Sequence, residues 1–264
     1  MSDINSNNPS NSNKIQELIN ANTTSNISAD YNVENVLSNI EDLFKGNDKD
    51  KRKKANDFLL FFEKSQAAWD ISKEILSIQN LKEEAYYTAT NIIKMKLRFD
   101  FGNYCGNKDI IISVGEFLIE KLYTFKDKKF YILSNLCRCF ALFAVFAHRD
   151  IPDIIKVFVS KLNDQKIEGL TVILLVFTFL AEIVEDNNIV IDEEYRISYK
   201  SLLENLSNDV LIYINFMINY SKEYKDQFIK QDAIYKSYFK NINKFVKYFT
   251  YIILFFHIKY NKYR

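Results

Sequence analysis

From Val33 onward, apolar residues return every three or four positions in one segment after another. Val33, Val36, Leu37, Ile40, Leu43 and Phe44 form the first such series, a spacing that puts them on one face of an α-helix and is incompatible with the two-residue alternation of a half-buried strand. Short polar links separate the segments. The chain of 264 residues contains only five glycines and two prolines, whereas strand-rich folds need turn residues at short intervals. The pattern predicts an all-α protein of long helices joined by short links.

Helices are predicted over residues 33–44, closed by Gly46 as a C-cap, and over 49–64, with Ala55, Phe58, Leu59 and Phe62 on one stripe. Further helices are predicted over 69–78 and 82–99. After a polar link at 102–108 come 110–125, 128–147, 150–162 and 165–184. Asp150-Ile151-Pro152 is the start signal for the segment 150–162, an N-cap candidate followed by proline in the first turn. Residues 193–206 form another predicted helix, Ser207 or Asn208 caps the next, and an aromatic, lysine-rich helix runs from Gln227. Amphipathic pairs recurring at intervals of roughly forty residues, each needing a neighbour to cover its apolar face, point to an α-solenoid of HEAT-like antiparallel helix pairs. About four to five repeats in an armadillo-like superhelix are expected, with a closed bundle as the alternative.

Composition narrows the function classes. Thirty-five basic residues balance 34 acidic ones for a net charge of +1, so no global field recommends nucleic acid or an anionic membrane as partner. Cys105, Cys137 and Cys139 make an odd count without a secretory leader, which argues for a reducing compartment, nuclear or cytoplasmic. Residues 1–30 are dominated by Asn and Ser and are expected to be a disordered arm. The apolar runs at 170–183 and 248–258 are shorter than the roughly twenty residues a membrane span needs, and no span is expected.

The residues of chemistry are missing. The five glycines are isolated, so no phosphate-binding loop is present. His148 and His257 lie far apart, without Cys or carboxylate at ligand spacing. Cys137 and Cys139, two apart on a helix, point about 200° away from one another and suit a core rather than a chelate. The carboxylate clusters sit at helix ends, where they complement the dipole. No catalytic residue, metal site or cofactor is expected, and the chain reads as a non-enzyme.

Two segments carry a family resemblance. Ala68-Trp69-Asp70-Ile71-Ser72, followed by Tyr87-Thr88-Ala89-Thr90-Asn91-Ile92-Ile93-Lys94-Met95-Lys96-Leu97, resemble the N-terminal region of the importin-β superfamily of nuclear transport receptors. The nearest branch is that of transportin-SR and importin thirteen, where an Ala-Trp-acidic-Ile-Ser opening precedes a helix ending in Lys-Met-Lys. The likeness is strong from about Val33 to Phe101, topological from Ile110 to Val184, and absent beyond Gln227. Leu180-Ala181-Glu182-Ile183 stands where that branch has a Leu-Pro-Glu-Glu corner. Residues 31–101 thus correspond to the family's N-terminal helix pairs and 102–226 to further HEAT-like repeats. Residues 227–264 are left as a C-terminal helix, and the chain looks like the first repeats of a longer receptor.

The resemblance implies Ran-GTP-regulated cargo binding in a protein shuttling between nucleus and cytoplasm. Its partners would be a GTP-bound Ran-type small GTPase, Phe-Gly nucleoporins, and protein cargo such as Arg/Ser-rich splicing factors, with no direct nucleic acid. In the family the second helix of each pair faces the GTPase; here those would be 51–64, 82–99, 128–147 and 165–184. On the helix from Lys82, burial of Ala85, Ala89, Ile92, Ile93 and Met95 or Lys96 leaves Tyr87, Asn91, Lys94 and Arg98 on the opposite stripe. That stripe is either an ordinary solvated face or a partner face. Tyr131, Ser134 and Arg138 share a face of the next such helix, where Arg138 snorkels or contacts a partner. Lys54 belongs to the basic run Lys49-Asp50-Lys51-Arg52-Lys53-Lys54, readable as a solvated helix start, a nuclear localisation or nucleic-acid patch, or a contact to an acidic surface. The GTPase-contact candidates are therefore Tyr87, Asn91, Lys94, Arg98, Arg138 and Lys54. The reading from another class is a helical scaffold that holds a peptide in its groove without any GTPase.

Overall fold

Short polar side chains start three of the described helices where the links end. The structure is a computed structural model that describes residues 31–104, 106–126, 128–162, 166–185 and residues 193, 196 and 197. Asn32 caps α1 (Val33–Lys45) by accepting from the Asn35 amide at 2.8 Å. Asp48 caps α2 (Lys49–Lys64) by accepting from the amides of Asp50 and Lys51. Helices α3 (Ala67–Ser77) and α4 (Glu83–Phe99) follow, then a 3-10 turn over Phe101–Tyr104. Asn107 caps α5 (Lys108–Thr124), and α6 (Phe130–Ala147), α7 (Ile154–Leu162) and α8 (Lys166–Glu185) complete the series. Each cap satisfies an amide that the first helical turn leaves without a partner. Every element among the described residues is helical, so the chain is all-α there.

Two boundaries differ in mechanism from their sequence signals. Gly46 does close α1, but in an extended conformation (φ −63°, ψ 122°) rather than a left-handed one. Glycine is needed because a Cβ there would stand 2.4 Å from the Asp42 carbonyl oxygen. The helix expected from Asp150 begins only at Ile154. Asp150 does not cap it; its carboxylate accepts from the Gly106 amide at 3.2 Å, tying the α6–α7 link to the start of α5. The predicted helices at 193–206, from 207 and from 227 lie outside the described residues, apart from helical residues 193, 196 and 197.

Packing follows the chain in pairs. The most extensive contacts join α1 to α2, α3 to α4 and α5 to α6, and across the pairs α4 to α6 and α6 to α8. Contacts between α4 and α6 advance in register: Glu83 meets Tyr131, Asn91 meets Asn135, and Phe101 beyond α4 meets Phe143. These two helices therefore run in the same direction. Tyr86 near the start of α4 stacks edge-on against Phe125 just after α5, with centroids 4.9 Å apart, so α5 runs the opposite way. At the first pair, α1 meets α4 more extensively than α2 does, and Lys82 pairs with Glu41 across that seam.

Tyr86 also holds the α3–α4 turn. Its hydroxyl donates to the Ile78 carbonyl at 2.9 Å and accepts from the Leu81 amide at 3.0 Å. Asn80 inside that turn adopts φ 59°, a left-handed conformation that asparagine tolerates better than most residues.

The centre of the described core is α6, where every residue from Cys139 to Ala147 is buried. Phe140 stacks on Phe158 of α7 at 4.4 Å and Phe143 meets Phe101 edge-on at 5.6 Å. Cys137 directs its thiol to the Val172 carbonyl of α8, and Cys139 to the Thr90 carbonyl of α4. The two sulfurs thus mark opposite flanks of one helix, as residues two apart must. Among the described residues α6 alone is long and apolar enough to cross a membrane by length and composition, yet 72% of it is buried inside the protein. Neighbours on both flanks account for that composition.

Candidate functional site

Burial leaves few positions open on the α4–α6 face. On α4, Ala85, Tyr86, Ala89, Thr90, Ile92, Ile93, Lys96 and Leu97 are buried. Of the pair that periodicity could not separate, Lys96 turns inward and pairs with Asp100 at 2.7 Å, while Met95 joins the open side. The stripe Tyr87, Asn91, Lys94 and Arg98 stays partly or fully accessible. On α6 the open positions after Phe130 are Tyr131, Ser134, Asn135 and Arg138.

These side chains line the α4–α6 seam as a ladder of successive rungs. The Tyr131 hydroxyl donates to Glu83 at 2.7 Å, and this bond, first among its causes, pushes the phenol pKa up to about 12. Tyr87 lies edge-on to the Tyr131 ring at 5.6 Å. One rung further, the Asn135 amide donates to Asn91 Oδ1 at 3.1 Å, and the Lys94 ammonium donates to the same oxygen at 2.8 Å. Asn135 was not singled out by sequence; it sits one turn after Tyr131 and one turn before Arg138, which is the signal that could have found it.

At the far end the ladder opens into a cleft of about 210 Å3 lined by Lys94, Met95, Arg98 and residues of α6 and α8. Arg138 lies over the Phe179 ring at 4.4 Å and reaches the Glu182 carboxylate at 3.4 Å. Arg98 lies 5.4 Å from the Phe99 ring centroid. Lys94 and Arg138 are close enough to favour the Cys139 thiolate, but complete burial outweighs them and drives that thiol up to about 12, so the sulfur is a packing group rather than a nucleophile. Five of the six candidates, Tyr87, Asn91, Lys94, Arg98 and Arg138, belong to this one face. Lys54 is exposed on α2, away from this cleft.

Two further clefts flank α4. A large one, about 780 Å3, is bounded by Trp69 and Lys73 of α3, by Lys96 of α4 with Asp100 and Phe101 just beyond it, and by the first turns of α5. Trp69 is half-buried at its edge, with the Lys73 ammonium 5.9 Å from its ring; Ala68, Ile71, Ser72, Ile75 and Leu76 make the buried face of α3. A smaller cleft of about 290 Å3 lies between α1 and the start of α4, around Phe44 and Leu81. Among the described residues no three His, Cys, Asp or Glu side chains cluster as a metal site would require.

No family model matches the chain. A Schizosaccharomyces pombe protein described as uncharacterized is 29% identical over 132 residues, which are 49% of this chain and 14% of that protein. The chain thus matches a small part of a much longer relative.

Proposed function

We propose that this chain is the amino-terminal part of a nuclear transport receptor of the importin-β type, built as an α-solenoid of HEAT-like repeats. The observation that carries the reading is the polar ladder. The stripe that the resemblance assigns to GTPase contact, Tyr87, Asn91, Lys94 and Arg98, is the stripe that packing leaves open on α4, and it continues onto α6 through Tyr131, Asn135 and Arg138. Pairwise packing of α3 with α4 and α5 with α6, with α4, α6 and α8 side by side, supports the repeat architecture. A GTP-bound Ran-type GTPase lies across α4 and α6, and its binding is coupled to cargo release. The cleft at Trp69 and Phe101, between the first helices of neighbouring pairs, suits an aromatic side chain of a Phe-Gly repeat.

The test is capture of Ran loaded with GTP or with GDP on the immobilised full chain. The expected result is retention of the GTP form only, with Lys94→Glu weakening it about tenfold while circular dichroism is unchanged. Equal retention of both forms, or of neither, sinks the receptor reading and leaves the scaffold.

A further inference from the structure

We infer that the cleft where α4, α6 and α8 meet receives a single aspartate or glutamate side chain from a protein partner, which takes over Arg138 from Glu182. The inference rests on reading the α4–α6 face as a binding face and narrows it to one chemical contact.

Charge is the first argument. Lys94 and Arg138, with Arg98 beside them, face a cleft in which Glu182 is the one carboxylate among the described residues. Opposite charge in a confined space is the arrangement that selects an anion. The neutral contacts of two of these cations, Lys94 and Arg138, are the second argument. The Lys94 ammonium rests on an amide oxygen, and the Arg138 guanidinium rests on an aromatic face with a single 3.4 Å contact to Glu182. A guanidinium bound well to a carboxylate makes two shorter, parallel bonds, so the Arg138–Glu182 contact is one that an incoming carboxylate improves upon. The third argument is the lining: Met95, Leu142 and Ile183 complete the cleft, and apolar walls strengthen a charge pair that water would otherwise screen. The volume of about 210 Å3 suits one side chain rather than a folded element.

Glu182 is then an internal stand-in. It holds Arg138 across the α6–α8 seam until a partner carboxylate arrives, and the exchange couples occupation of the cleft to the contact between these two helices. Phosphate groups share the charge but are larger and more highly charged, and the inference commits to a carboxylate.

The experiment is fluorescence anisotropy of labelled hexaglutamate with the full chain at low salt. Glu182→Gln is expected to bind about threefold more tightly than the native chain, and the Lys94→Gln/Arg138→Gln double variant about tenfold more weakly. Lys64→Gln, at the exposed C-terminal end of α2, is expected to leave binding within about twofold. Overturning results are unchanged affinity in both cleft variants, or a loss confined to the α2 variant. Equal competition by inorganic phosphate at matched charge overturns the carboxylate assignment. Circular dichroism checks each variant, and Lys94→Gln alone serves if the double variant fails to fold. Because no GTPase is present, failure here is distinct from failure of the Ran capture: peptide binding without GTPase binding leaves the cleft and removes the receptor.

Discussion

Helices α2 and α6 are each the second member of a packed helix pair, α1–α2 and α5–α6, yet they have opposite surfaces. Among the described residues, α6 has α4 on one flank, α8 on the other and α5 and α7 beneath, and its C-terminal half is wholly buried. On α2 only Ala55, Leu59 and Phe62 are buried, and Leu60 and Phe61 stand 51% and 65% exposed. Where nearly every position is buried, the few open ones are informative. Where most positions are open, a basic residue such as Lys54 has no packing constraint to distinguish contact from solvation.

The sharpest way to break the comparison is to truncate one aromatic on each helix. Phe143→Ala should cost about 3–5 kcal/mol because the ring is fully buried and the cavity cannot collapse against Phe101 and Gly115. Phe61→Ala should stay within about 0.5 kcal/mol. Urea unfolding followed by circular dichroism measures both; similar losses would mean that α2 is buried to the same degree as α6.

A smaller effect is expected at Gly115 of α5, which faces the Phe143 ring of α6. A Cβ there would lie 2.9 Å from Phe143 Cζ. Overpacking costs about 1–3 kcal/mol, while replacing a helical glycine by alanine returns about 1 kcal/mol of propensity. Gly115→Ala should therefore lose about 1 kcal/mol, read from the same unfolding curves. A net gain would show that the Phe143 ring yields.

The smallest expected effect is a titration. Tyr131 ionises near pH 12 because its hydroxyl donates to Glu83, whereas the unfolded chain's tyrosines ionise near 10. The folded pKa is raised, so the associated stability is present below about pH 10 and is lost as pH rises from there towards 12. Difference absorbance of the native chain against Tyr131→Phe should show the missing transition near pH 12. With Glu83→Gln the Tyr131 transition should move down; no movement would deny the hydroxyl–carboxylate bond at the top of the ladder.

Much of this was readable from periodicity. The helical segments through residue 185, the buried face of α4 and the divergence of Cys137 from Cys139 all follow from 3.6 residues per turn, a local property. The open stripe on α4 was legible for the same reason. Choosing between Met95 and Lys96 was not, because both lie near the edge of the apolar arc and the choice depended on Asp100 being in reach of the Lys96 ammonium. Asn135 escaped notice because its role depends on Asn91, 44 residues earlier. Asp150 looked like a cap because its neighbours spell one; a distant amide, Gly106, claimed it instead.

The sequence alone therefore determined the all-α class, the approximate lengths of the helices and which face of each must be covered, since these depend on residue spacing and on the preference of apolar groups to leave water. Only the tertiary structure decided which helices lie side by side, that Lys94, Arg98 and Arg138 converge with Glu182 on one cleft, and that Lys54 stays apart from it. Those relations join residues far apart along the chain, and they are set by how helices pack against one another.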